Sequence, residues 1–279
     1  MRNASSTLLS SRSNGSRVIA HPHVKLTVAE PCVELRPFVR QFLITESTSH
    51  YSHLLLPDTA PVAAFRFNGS SLRLGSDPLP RALLSGVYDV TRTLRRPANT
   101  AVLLVRFTET GLAAFIREPL HLLFDVSMSI DQFVRHSELE LVEEQLAEAS
   151  HHVERIFILE QFLLHRLPRH QVEPDPLVQF LVKQIKQKNG DVRIGDLVRD
   201  SGLSQSAIER RFCRNVGTTP RKFASIVRFR HVLELKSRAN NLTEVAYRAG
   251  YSDQSHFIND FRRFTAQPPR AFFQQRSFC

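Results

Sequence analysis

Leu197 to Phe223 reads LVRDSGLSQSAIERRFCRNVGTTPRKF, and Val245 to Phe272 reads VAYRAGYSDQSHFINDFRRFTAQPPRAF. These are two copies of one unit. Gly202 matches Gly250 at an offset of 48, whereas Phe212, Pro220 and Phe223 match Phe261, Pro269 and Phe272 at 49. The second copy therefore carries one extra residue in its turn.

Each copy holds the parts of a helix-turn-helix. In the first, Ile194, Leu197 and Val198 form an apolar stripe on a short helix, Gly202 supplies the turn, and Leu203 is expected to plug the corner. Ser204 is a good N-cap for a second helix whose Ile208, Phe212 and Val216 face inward at i, i+4 and i+8. Ser206, Glu209, Arg210 and Cys213 then face out. In the second copy Leu242, Val245, Ala246 and Ala249 form the stripe, Gly250 the turn and Tyr251 the plug. Ser252 or Asp253 caps the next helix; Phe257, Phe261 and Phe264 face inward, and Gln254, Ser255, Ile258, Asn259 and Arg262 outward. Amides, hydroxyls and arginine are what hydrogen bonding to base edges and phosphates requires. One such pair of helices is an ordinary hairpin; two matched copies are a much stronger signal. Pro220 to about Arg238 reads as one helix between them, a strut of roughly 28 Å that could hold two reading helices about one duplex turn apart.

Charge points the same way. Residues 1–174 hold 18 Lys+Arg against 18 Asp+Glu, and residues 175–279 hold 19 against 9, so the whole excess of +10 sits in the C-terminal part. A neutral module joined to a basic one suggests a polyanion as partner of the latter. Cys32, Cys213 and Cys279 have no metal-type spacing and fit a reducing compartment. No apolar run approaches the roughly 18 residues of a spanning helix.

Residues 1–20, Ser-rich and basic, read as a disordered leader. Residues 21–170 read as a β-rich domain. Ordered structure begins within Cys32 to Glu46, and candidate strands are Ser52–Leu56, Pro61–Phe67, Ser71–Leu74, Val87–Leu94 and Thr100–Phe107, spaced as in a sandwich or small barrel. Leu139, Val142, Leu146, Val153, Ile156, Phe157, Leu163 and Leu164 then fall at helical spacings, giving helices at about Glu138–Ala149 and His152–Leu167. These either pack on their own β domain or form a dimer surface. Leu167 to Pro176 (LPRHQVEPDP) reads as a linker, so residues 171–279 form the second domain. The expected fold class is α+β: a β-rich N-terminal barrel or sandwich with a helical hairpin, then an all-α domain of two helix-turn-helix units joined by a long helix.

The stretch AGYSDQSHFINDFRRFTAQPPRAF, with the repeat around it over about Leu177 to Gln274, resembles the AraC/XylS family of bacterial regulators. The resemblance implies base-reading positions at Ser206, Glu209 and Arg210 in the first unit and at Gln254, Ser255, His256 and Asn259 in the second. Ser204, Arg211, Arg214, Arg221, Lys222, Ser252, Arg262 and Arg263 are the expected phosphate contacts. LRPFVRQF, LLLPDTAPVAAFRFNGS, LLVRFTETGLAAFI and LEQFLLHRL resemble, more loosely, a sensor half recurrent in that family. The implied partners are duplex DNA, a small-molecule effector of the N-terminal domain, a second copy of the chain and RNA polymerase. The implied place is the cytoplasm, with no membrane contact. No cofactor, metal or catalysis is expected, since G-x-S-x-G, P-loop and H-E-x-x-H signatures are lacking. The alternatives are a DNA coater without sequence preference, or metal or enzyme chemistry in the N-terminal half around His21/His23 and His50/His53.

Overall fold

Apolar alternation builds the N-terminal half into two antiparallel sheets. The computed structural model describes residues 12–13, 16–21, 23–167, 174–199, 202–236 and 241–274. Its strands are β1 (Arg12–Ser13), β2 (Ser16–His21), β3 (Val24–Ala29), β4 (Val39–Ser47), β5 (Tyr51–Leu55), β6 (Val62–Asn68), β7 (Arg73–Leu74), β8 (Asp77–Pro78), β9 (Ala82–Ser85), β10 (Arg92–Arg96), β11 (Ala101–Phe107) and β12 (Ser127–Ser129). The large sheet runs β1-β2-β3-β4-β11-β6-β9-β12 and the small one β5-β10-β7-β8. Along β11 the two faces part company. Ala101, Leu103, Val105 and Phe107 enter the main core, while Val102 joins Leu72 and Leu94 in a smaller cluster.

Helices α1 (His136–Glu148) and α2 (His152–Arg166) close the main core with Leu139, Val142, Leu146, Leu159 and Leu163. They pack on their own β domain. Val153 and Phe157, expected in the inward stripe, are exposed instead, at 60% and 57%.

Three further expectations are corrected. Ser16–His21, read as the end of the leader, pairs as a strand with β3, and β3 itself precedes the order expected from Cys32. The strand expected over Val87–Leu94 is shifted to Arg92–Arg96, because Val87 is drawn into the core of the second helix-turn-helix unit. Leu203 does not plug its corner; it is 40% exposed. Most of the predicted linker, residues 168–173, lies outside the described residues.

The C-terminal half comprises α3 (Pro176–Gln187), α4 (Ile194–Val198), α5 (Gln205–Val216), α6 (Pro220–Lys236), α7 (Leu242–Arg248), α8 (Gln254–Thr265) and α9 (Pro269–Gln274). The strut α6 serves both units. Its Phe223 and Ala224 join Val178, Leu181, Ile185, Ile208, Phe212 and Val216 in one core, and its Ile226, Phe229 and Val232 join Val245, Tyr251, Phe257, Phe261 and Phe264 in the other. Seventeen residues of α6 at 1.5 Å each span about 25 Å.

Candidate nucleic-acid interface

Helices α5 and α8 each start at a side-chain cap. Ser204 Oγ accepts from the Ala207 N–H at 3.3 Å, and Asp253 Oδ1 accepts from the His256 N–H at 2.8 Å. The alternative left open by sequence is thereby resolved: Asp253 corresponds to Ser204, and Ser252 is the added turn residue, donating to Asp253 Oδ2 at 3.2 Å. The His256 N–H holds the Asp253 carboxyl below its ordinary range. A permanent negative charge at this helix start complements the positive end of the helix dipole. Gly202 and Gly250 have φ of +68° and +78°, the left-handed turn conformation. At Gly250 a Cβ would also meet Asp191 Oδ2 at 2.8 Å.

Burial then divides the faces. Ile208, Phe212 and Val216 of α5, and Phe257, Phe261 and Phe264 of α8, are buried to within 2%. Ser206 and Arg210 are exposed, as are Gln254, Ser255, His256 and Asn259; Glu209 is half-buried and accepts from Gln205 Nε2 at 3.0 Å. The His256 ring rests edge-on against Tyr251, centroids 5.3 Å apart. Tyr251 is the buried plug expected in the second unit, its hydroxyl donating to Asp260 Oδ2 at 2.9 Å. Burial and then Asp260 raise its phenol above the ordinary range, so it stays a neutral donor.

The expected phosphate contacts fall into two groups. Arg214, Arg221 and Arg262 are exposed and make no ion pair among the described residues, and Ser252 and Ser204 lie exposed at the two caps. Arg211, Lys222 and Arg263 are already engaged. Arg211 grips Asp175 through Nε and Nη2 at 2.8 and 2.9 Å. Lys222 meets Asp89 at 3.0 Å with its ammonium over the Phe124 ring, and Arg263 meets Asp260 at 3.2 Å and Ser225 Oγ at 3.0 Å.

Sequence reasoning missed Arg228, which faces the concavity of about 460 Å3 between the units beside Arg221, Arg263 and His256. It donates to the Gly190 carbonyl at 3.0 Å and lies over the Tyr251 ring. Its position on the helix shared by both units hid it among residues read as a strut.

The N-terminal half touches both α5 and α8. The Thr91 N–H donates to the Phe264 carbonyl at 2.8 Å, and Val87 is buried in the second unit's core. The turn Leu120–Leu123 packs on α5. Among the described residues no group of three or more His, Cys, Asp or Glu side chains could hold a metal ion, and no helix is long and apolar enough to cross a membrane.

Residues 197–275 match the family described as helix-turn-helix domain, and residues 27–129 match a domain of unknown function (DUF6597). An uncharacterised HTH-type transcriptional regulator of Staphylococcus aureus strain MRSA252 is 25% identical over 150 residues, covering 51% of this chain and 19% of that protein. The HTH-type transcriptional activator RhaS of Salmonella arizonae is 32% identical over 77 residues, 26% of this chain and 27% of that one. The chain thus spans about a fifth of the length of the first curated relatives it matches. A solved structure of ToxT from Vibrio cholerae aligns with TM-score 0.47 at 10% identity, covering 85% of this chain and 99% of that one.

Proposed function

We propose that the chain is an AraC/XylS-type regulator, a cytoplasmic, sequence-specific DNA-binding transcription regulator, a reading supported by the helix-turn-helix match and the similarity to RhaS. Its helices α5 and α8 enter adjacent major grooves on one face of the duplex. The observation that carries this reading is the pairing of two capped helices, each with a buried apolar face and an exposed polar one, on the two cores of α6. Ser206, Glu209 and Arg210 read one subsite; Gln254, Ser255, His256 and Asn259 read the other. Arg214, Arg221 and Arg262 anchor phosphates, whereas Arg211, Lys222 and Arg263 hold the protein's own elements in place. The N-terminal half acts as a sensor, a role supported by its contacts to both reading helices.

The rival coater without sequence preference has no use for amides and hydroxyls on the outward faces. Competition separates the two. A labelled duplex chosen from a random pool should be displaced from the full chain at least 1000-fold less readily by bulk genomic DNA than by itself. Equal displacement refutes sequence-specific reading.

A further inference from the structure

Arg228 stands on α6 where the two helix-turn-helix units meet. Ala224, one turn earlier, belongs to the first core and Phe229, the next residue, to the second, and among the described residues the two cores share no buried side chain. The helix carries both units, and polar contacts that cross between them converge on Arg228.

On one side lies the turn between α3 and α4. Gly190 in that turn has φ of +79°, and a Cβ on it would run into the Ala224 carbonyl oxygen and meet the Arg228 backbone nitrogen at 2.7 Å, so the turn rests directly on the α6 backbone. Arg228 Nη2 donates to the Gly190 carbonyl at 3.0 Å and lies 3.5 Å from Asp191 Oδ1. On the other side lies the turn of the second unit. The guanidinium sits over the Tyr251 ring, 5.4 Å from its centroid, and Asp191 Oδ2 lies 2.8 Å from the place a Cβ would take on Gly250. One side chain thus touches the first unit at Gly190 and Asp191 and the second at Tyr251.

From Tyr251 the link reaches α8. Its hydroxyl donates to Asp260 in the middle of that helix, and its ring meets His256 in the first turn. The N-terminal half grips the opposite end of α8, at the Phe264 carbonyl. The end that carries Gln254 and Ser255 is therefore placed from the side of Arg228. Arg228 itself is turned away from a duplex, since its side chain is only 18% exposed and Nη2 is already engaged. Its Nε is buried and finds no partner among the described residues, so desolvating this guanidinium costs stability. A half-buried, directional cation that stabilises little is suited to fixing geometry.

We propose that Arg228 is a positioning residue: by bridging the α3–α4 turn and Tyr251 it fixes α8 relative to α5, and so sets the spacing between subsites that the chain accepts on DNA. Adding one base pair between the subsites moves the second by about 3.4 Å and turns it by about 35° around the duplex axis, which a rigid pair of helices cannot follow. The inference rests on the reading of two subsites, so its test has one arm with DNA and one without.

With DNA, the full chain is titrated against its preferred duplex and against duplexes whose spacer is one base pair shorter or longer. The wild type should favour the native spacer about tenfold. Arg228→Gln should weaken binding to the native spacer yet bring the three duplexes within about threefold of one another, with single-base preferences inside each subsite unchanged. Arg228→Lys keeps the charge but loses the planar fork, so it should loosen the spacing in the same way, and it carries the test if Arg228→Gln does not fold. Val178→Ala, a core change in the first unit, should weaken all three duplexes alike. Without DNA, nitroxides attached at Ser206→Cys and Ser255→Cys, in a chain whose Cys32, Cys213 and Cys279 are serines, should report one narrow distance that Arg228→Gln or Arg228→Lys broadens. The inference is overturned if the folded Arg228 variants keep the wild-type spacing ratio, or if the distance stays as narrow as in the parent chain. It is equally overturned if Arg228→Gln weakens all spacings alike and Arg228→Lys restores them, as a phosphate contact would. A wild type indifferent to the spacer would instead refute the two-subsite reading, and the distance arm would then decide whether Arg228 positions α8.

Discussion

Lys186 on α3 places its ammonium 2.6 Å from Oε1 of Glu109, a carboxylate of the N-terminal half that is 6% exposed and that Arg40 meets at 2.5 Å. This triad fastens α3, which shares the core of the first helix-turn-helix unit, to the N-terminal half. Burial alone would raise the Glu109 pKa, but Arg40 and Lys186 outweigh it, and the net position is below the ordinary 4.5. A depressed carboxylate adds stability that is complete above its unfolded value and is lost as pH falls through its folded one. Glu109→Gln should therefore cost about 1 to 3 kcal/mol near pH 7, and the difference from wild type should shrink below pH 4.5. Thermal unfolding of both chains across that range checks it. A difference independent of pH would remove the charge from the explanation.

Phe212 and Phe261 fill corresponding places in the two units, at 0% and 1% exposure. Phe212 sits edge-on to Phe223, while Phe261 touches the rings of Phe229, Phe257, Phe272 and Phe273. Replacing either by Ala should cost about 3 to 5 kcal/mol by opening a cavity. Chemical denaturation measures this directly. Unchanged stability with lost DNA affinity would make the ring a contact to DNA.

Ala266 ends α8 with φ of +57°, where the first unit has Gly217 at +92°. A Cβ in this conformation is strained, so Ala266→Gly should stabilise the chain by about 0.5 to 1 kcal/mol. A lowered urea midpoint would contradict that account of the turn.

The C-terminal half was legible because its signals are local. Gly250, Tyr251, the capping position and the Phe spacing each report on their own few residues, and the repeat doubles them. The N-terminal half depends on distant partners. Val87 looks like the start of a strand until the core of the second unit buries it, and β10 is built from RTLRR, where charge hides a buried Arg96. The stretch Val39–Ser47 carries apolar residues on both faces, with Phe42 and Ile44 turned to the main core and Leu43 to the other face, so alternation alone did not mark it as a strand. The engagement of Arg211 by Asp175 and of Lys222 by Asp89 was equally beyond reach, since each acid lies far away in sequence.

Arg210 offers a two-donor fork that suits guanine O6 and N7, and Asn259 an amide that suits adenine N6 and N7. Both are exposed. Arg210→Ala should relax preference at a G by about 1 to 3 kcal/mol and leave the other subsite unchanged, whereas Asn259→Ala should relax an A in that other subsite. Binding titrations against single-base variants of the preferred duplex read these effects. If Arg210→Ala weakens every sequence equally, it is a phosphate contact.

The most direct test of the account is selection of bound sequences from a random duplex pool by the full chain. Two reading helices held by α6 predict a bipartite site: a subsite containing G·C pairs and one richer in A·T, their centres about 10 base pairs apart. Recovery of a single uninterrupted subsite, or of no preferred sequence from a chain that binds the pool, would contradict it.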